Sequence, residues 1–419
     1  MIRRILLFIV AVSLVEGLSA QMTLQEYRAL VRDYSHTLRR AAAVVDGAEA
    51  DMRVAKKGAL PSLDMSHSAT YDFRNLEEER RVDWAVRADL IQPIFYGGRV
   101  QALKEQTSML WSAALSEEQS VDLDVTYSAD VAYWSLSRAE IYCRAIERYR
   151  AIVASLGEVV SQRFLEGYIS KSDLLQVESR LSDAEYQLSQ AKQQRQQARH
   201  NFNLLCGNKP TCEVVLSQSI LDSMAIPERE RVEEIVALHP QYVAMVAERE
   251  AARWGVKVVR ADYLPQIGVG VYGLWHPDSP NVKGVGSRLD GGVMISMSTP
   301  IFHFGERREA VRAARSRLHS AEIMVEDLVD EITLNESNGW TNLLSTQERV
   351  EAIRRNLAIA AENLEISTYA YSEGLGTILD VLQAQLSWLQ IYSNAIAAQY
   401  DYAVAVAAYK YIVGAIEEK

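Results

Sequence analysis

Asp173, in EGYISKSDLLQ, and Asp380, in EGLGTILDVLQ, are acidic residues whose surroundings are written twice in this chain. Each lies six residues after a glycine, Gly167 or Gly374, and each precedes a long helical pattern. Two readings follow from that setting. At a helix start, a carboxylate is stabilised by the backbone dipole and the free N–H groups. Several copies gathered round one mouth would instead make a constriction that attracts cations. Other chemistry finds little support. GVGVYG, Gly268 to Gly273, spells a dinucleotide fingerprint but sits inside an alternating strand with no helix after it, so its glycines are expected to allow close packing. The seven histidines show no metal-ligand spacing, and no phosphate loop or nucleophile elbow occurs. The expectation is a protein that is not an enzyme and needs no cofactor.

Three cysteines are too few for a disulfide scaffold. Cys206 and Cys212 flank GNKPT and either close a small loop in an oxidising compartment or remain free thiols. Residues 1–20 read as a secretory leader: Arg3 and Arg4, an apolar run from Ile5 to Val15, then Ser19 and Ala20 before the expected mature start at Gln21. The net charge of -11 argues against a nucleic-acid partner.

These residues must be positioned by something, and the repeat says what. Pro93 and Pro300, Gly167 and Gly374, Asp173 and Asp380, Gln176 and Gln383, and Gly207 and Gly414 are each separated by the same 207 positions. Upstream, LPSL from Leu60 and LPQI from Leu264 differ by 204, which places an insertion between those phrases and the prolines. Between them the pattern has period two. Leu63, Met65, His67, Ala69, Tyr71 and Phe73 alternate with polar residues; Val82, Trp84, Val86, Ala88 and Leu90 do so after the polar run NLEEERR. Ile267, Val269 and Val271 lead to Trp275, and Val293, Ile295, Met297 and Thr299 return after HPDSPNVKGVGS. Hairpins are therefore expected over 62–95 and 266–302. Strands of about ten residues cross a bilayer when tilted, and Tyr71, Trp84 and Trp275 are either belt aromatics or core residues. Four strands leave edge amides facing hydrocarbon, so a shared barrel is required. Two copies give eight strands, whose interior side chains fill; three give twelve and an open lumen.

The remainder reads as helix. Arg99 to about Phe164 holds no proline, and about 65 residues of helix would run about 100 Å, which implies a coiled coil. Leu174, Val177, Leu181, Ala184, Leu188 and Ala191, then Ala198, Phe202 and Leu205, keep three-four spacing. Val381, Ala384, Trp388, Ile391, Ala395, Ala398, Tyr402, Ala405, Tyr409 and Ile412 repeat that seam. A helical pattern from Thr23 to Gly58 adds about 36 residues that, stacked on the shorter helix, would match the long one. Residues 208–230 form the irregular linker between a first repeat, 21–207, and a second, 231–419.

The leader, the two tandem halves, LPSL and LPQI, QPIFYGGR and TPIFHFGER, and the two phrases around Asp173 and Asp380 together resemble the outer membrane efflux protein family, the TolC-like channels. The resemblance covers essentially the whole mature chain. It implies a mainly α fold with β-barrel segments, assembled as a homotrimer in a bacterial outer membrane. A twelve-stranded barrel in outer-membrane lipid would continue into a periplasmic α-helical coiled-coil tunnel. It also implies a passive exit duct for efflux or type I secretion, docked to a periplasmic adaptor and, through it, to an inner-membrane pump of the RND or ABC class. Pro93, Gly97, Gly98, Pro300 and Gly305 are then expected to end strands and turn the chain from barrel into helix. Gly167 and Gly374 become tip turns, and Asp173 and Asp380 candidates for the pore mouth. In the resembled channels an arginine two positions after the second tip glycine pairs with the first-half aspartate. Here Gly376 holds that position, Gln383 replaces a second acidic ring, and Tyr371 is the remaining match, so the expectation is a selectivity ring without that latch. A soluble periplasmic coiled-coil adaptor or structural protein is the alternative; a stand-alone diffusion porin has no use for such long helices.

Overall fold

The computed structural model describes residues 21–71, 82–276 and 288–414. The expected leader, the NLEEERR run and the turn from Pro277 onward lie outside the described residues. The order of elements is the same in both halves. Helices α1 (Leu24–Tyr34) and α2 (His36–Lys57) precede strands β1 (Ser62–Tyr71) and β2 (Val82–Tyr96) and the long helices α3 (Arg99–Leu165) and α4 (Lys171–Leu205). Helices α5 (Val232–Leu238) and α6 (Pro240–Ala261), strands β3 (Gln266–His276) and β4 (Arg288–Ser298), and helices α7 (Glu306–Ser372) and α8 (Ile378–Ile412) repeat the plan. Both α3 and α7 have 67 residues, and both α4 and α8 have 35. The single helix read over Thr23–Gly58 is broken at Ser35, whose backbone leaves the helical region and whose Oγ accepts from Leu38 N at 3.2 Å. One residue thereby ends α1 and caps α2. His239, 204 positions later, plays the ending role before Pro240 opens α6.

Two compact units divide the chain. The unit drawn from Met1–Arg40, Gln119–His239 and Glu331–Lys419 holds the apolar cores of the coiled coil. Every residue of the two expected heptad seams is buried or half-buried. Helix α8 also buries a second stripe, Ile378, Leu382, Leu389, Ile396 and Ala403. That stripe packs with α3 and α4 residues such as Val160, Val177, Ile146 and Ala184, whereas Tyr402, Ala405 and Tyr409 pack with Leu343 and Val350 of α7. The first-half counterparts of the second stripe are Lys171, Leu175, Ser182, Ser189 and Gln196. Polar side chains at four of these five positions, with Leu175 exposed, leave α4 with one apolar seam, and α8 with two.

The linker is fixed rather than loose. Tyr133 Oη donates to Met22 O at 3.0 Å and accepts from Gln218 N at 3.2 Å, while Ser137 Oγ accepts from Ile220 N. Tyr27 stacks on Phe202 at 3.8 Å and donates to its carbonyl. Arg28 grips Asp130 with two bonds of 2.6 and 2.7 Å in a buried setting. Farther along, Arg229 pairs with Glu336 through two bonds of 2.9 Å, and Tyr409 Oη donates to the same carboxylate. The Arg229 hydrogen bonds hold the Glu336 carboxyl below its ordinary value of 4.5.

In the unit drawn from Ala41–Glu118 and Pro240–Asp330, most of the buried apolar helix residues are small, among them Ala55, Ala102, Ala113, Ala247, Ala251 and Ala261, beside Met52 and Val256. The four strands form one antiparallel sheet in the order β1-β2-β3-β4. Its β1 and β4 edges carry no strand partner among the described residues. Pro93 was expected to end its strand, and it does not. β2 runs on to Tyr96, and the missing amide falls where the register against β3 shifts between Pro93 and Phe95, so a bulge absorbs it. The second hairpin stops at Ser298, short of the expected 302, with Pro300 two residues beyond the strand.

Because Glu336 is fully buried and Arg229 is half exposed, Arg229→Ala is expected to cost up to ~3 kcal/mol by stranding the carboxylate, read by thermal loss of helical circular dichroism. A lowered carboxyl contributes stability that is fully present above 4.5 and is lost as pH falls through the folded-state value. The gap between wild type and Arg229→Ala should therefore close in acid.

Candidate functional site

The register assigns every strand residue to a face. Leu63 pairs with Leu90, Leu90 with Val271 and Val271 with Val293; Met65, Ala88, Gly273 and Gly291 follow in the next such row. That face is apolar across all four strands and open: Leu63, Val293 and Ile295 are about three-quarters exposed. Tyr71, Trp84 and Trp275 all project from it near one end of the strands and are exposed, which favours belt aromatics over core residues. The opposite face carries Asp64, Asp89, Arg87, Tyr272 and Ser296, with Arg87 Nε shared between both carboxylate oxygens of Asp89 and its guanidinium over the Tyr272 ring at 4.9 Å. Gly268 and Gly270 of β3 are closely packed, a Cβ on Gly270 lying 3.0 Å from Leu90 O, whereas a Cβ on Gly273 would meet open space. All three glycines lie within β3, as the alternating pattern implies.

At the strand-to-helix turns Gly97, Gly98 and Gly305 all have positive φ. Gly97 also abuts the start of the second half, where a Cβ would meet Ala261 O at 2.6 Å and Leu264 Cβ at 2.7 Å. Its counterpart 207 positions on is Phe304, which takes φ 45 with its ring exposed and stacks edge-on against Phe302. A bulky residue in the left-handed region is strained, a cost nothing in the sequence announces. Arg99 pairs with Asp262, and Tyr263 Oη donates to Glu306, tying each turn to the helices beside it.

The tips are built alike. Gly167 and Gly374 have φ +82 and +74 and close their helices: Tyr168 N donates to Arg163 O, and Leu375 N to Ala370 O. Ser170 and Thr377 then cap the next helices. Asp173 Oδ2 accepts from Ser170 N and Oγ, Asp380 Oδ2 from Thr377 N and Oγ1, each a reciprocal capping box. The Thr377 hydroxyl and N–H lower the Asp380 carboxyl, which stays charged into acid. Capping uses one oxygen of each carboxylate and fixes the group at the tip. Tyr371 is buried with Val160, Val177, Ile378, Val381 and Leu382. Arg163, absent from the sequence reading, lies over its ring at 4.8 Å.

The Cys206–Cys212 bridge is not formed. Both are free thiols; Asn203 closes the loop instead, donating from Nδ2 to Pro210 O and Cys212 O at 3.0 and 2.9 Å. Among the described residues no group of His, Cys, Asp and Glu could hold a metal, and no helix is long and apolar enough to cross a membrane.

A sheet with one continuous apolar face, a polar reverse and unpaired edges, carried on long paired helices, defines a channel-forming protein of the outer-membrane β-barrel class. The chain belongs to the outer membrane efflux protein family, whose model matches residues 27–208 and 232–415. It is 23% identical to the outer membrane efflux protein BepC of Brucella suis over 90% of this chain and 82% of BepC. It is 24% identical to the alkaline protease secretion protein AprF of Pseudomonas aeruginosa, a match that spans 61% of this chain and 54% of AprF. The fold is that of crystalline CusC, with a TM-score of 0.82 at 16% identity over 94% of this chain and 92% of that one. Family membership places the protein in the outer membrane and sets aside the soluble adaptor.

Gly97→Ala combines a left-handed φ with a backbone clash, whereas Gly305→Ala meets only the φ cost, ~1–2 kcal/mol. Folded protein recovered from membranes should fall sharply for the first and modestly for the second.

Proposed function

We propose that three copies of this chain close a twelve-stranded barrel and that their helices enclose a periplasmic duct. The barrel admits and releases solute passively, and the chain supplies a conduit rather than catalysis. The open sheet carries this reading. An apolar face exposed over four strands belongs in lipid, and its two free edges belong against the edges of other copies. Eight strands would fill their own interior; twelve leave a lumen for the polar face.

Energy then comes from an inner-membrane pump of the RND or ABC class, reached through a periplasmic adaptor. AprF, named for alkaline protease secretion, and BepC, named for efflux, support either kind of cargo. At the tips, three copies each of Asp173 and Asp380 form a negative mouth that favours cations. The capping bonds do not compete with this role, because each box uses one oxygen of its carboxylate and holds the group in place.

The test is single-channel recording from the purified full chain in planar bilayers. Wild type should prefer cations, and Asp173→Asn with Asp380→Asn should reduce that preference. An unchanged reversal potential in the double variant would remove the tip carboxylates from the pore mouth.

A further inference from the structure

The two β-hairpins follow the repeat residue for residue. Ser62 lies opposite Ile91, and their counterparts Gln266 and Ser298, 204 and 207 positions on, lie opposite each other. The joint between β2 and β3 inside one chain is therefore a template for the joint that the open edges β4 and β1 would make between copies. Inside the chain, the turn after β2 seats on the end of α6. Gly97 packs so closely there that a Cβ would fall 2.6 Å from Ala261 O and 2.7 Å from Leu264 Cβ, and Arg99 pairs with Asp262 at 2.8 Å. Moved along the repeat, this becomes the turn after β4 against the end of α2, with Phe304 for Gly97, Glu306 for Arg99, Lys57 for Ala261, Gly58 for Asp262 and Leu60 for Leu264. In a single chain both of those surfaces are bare. Leu60 is 59% exposed, where Leu264 is half-buried beside the Gly97 turn, and Phe304 is 92% exposed.

The signs of the charges are exchanged between the two joints. Inside the chain a base, Arg99, opens the long helix and an acid, Asp262, follows the short one. At the bare surfaces Glu306 and Glu309 lie in the first turn of α7, while Lys56 and Lys57 lie in the last turn of α2. A turn seated on the wrong half would set Arg99 against Lys57, or Glu306 against a second Asp262. Opposite signs meet only when first and second halves alternate round the ring.

We infer that residues 302–306 of one copy seat on residues 56–60 of the next, and that the exchanged charges reject any other order of joining. The inference rests on the three-copy barrel proposed above. Phe304 carries the Cβ that Gly97 lacks, so this joint is wider than the internal one, and the exposed ring fills the added space against Leu60 and the stem of Lys57. Its left-handed φ of 45 is then offset by burial that a single copy does not provide. Glu306 already accepts from Tyr263 of its own chain, which holds the carboxylate at the edge of the turn.

The test uses the full chain purified in mild detergent and heated while its assembly is followed. Glu306→Lys makes the joint like-charged, and its trimer should come apart at temperatures at which wild type stays assembled. Adding Lys56→Glu and Lys57→Glu restores opposite signs and should recover the trimer. A Glu306 that served only its own Tyr263 would not be rescued from α2. In a second measurement, Phe304→Cys with Leu60→Cys should join copies covalently on oxidation, giving dimer and trimer bands in a denaturing gel that neither single variant shows. If wild type is a trimer and either the charge variants behave as it does or the cysteine pair stays unlinked, the joint is wrong and the trimer stands. If wild type is a monomer, the shared barrel falls and the joint with it. Should the charge variants fail to fold, the cysteine pair decides alone: bands between copies support the joint, and their absence overturns it.

Discussion

A β-sheet edge cannot face hydrocarbon with its N–H and C=O groups unpaired, and that constraint governs the β-sheet portion of this protein. The chain supplies four strands with a lipid-suited face and leaves β1 and β4 open. Neither edge is blunted by a proline or a covering helix in the described residues; Pro93, the one proline within the strands, lies on β2, inside the sheet at a bulge. Such edges are made to be paired. Once closure requires other copies, the strand-to-helix turns must deliver long helices from each copy twice, and the paired glycines at Gly97 and Gly98 serve that need.

The second organising feature is the difference between α4 and α8. Their backbones are the same length and start with the same capping box, yet α8 buries two stripes and α4 one. The change lies in four positions, where Ser182, Ser189 and Gln196 give way to Leu389, Ile396 and Ala403, and Lys171 gives way to Ile378. Duplication set the geometry, and divergence made α8 the helix on which both hairpins of a protomer pack.

Much of this was legible from spacing alone. Period-two alternation located the four strands, three-four spacing located both seams, and the constant offset of 207 aligned the tips. These signals survive because each follows from backbone repeat geometry. What escaped is local or long-range. The helix break at Ser35 depends on one side chain capping a helix already predicted as continuous. The Pro93 bulge depends on the facing strand, and the free thiols on Asn203 filling the loop's hydrogen bonds. Arg163 and Tyr371 lie 208 residues apart, and Arg229 and Glu336 lie 107 apart.

The most direct test of shared closure is the native mass of the full chain extracted from outer membranes in mild detergent. The open edges predict three copies in each folded particle. A folded, detergent-stable monomer would mean that four strands satisfy their edges alone, and the twelve-stranded barrel would be wrong.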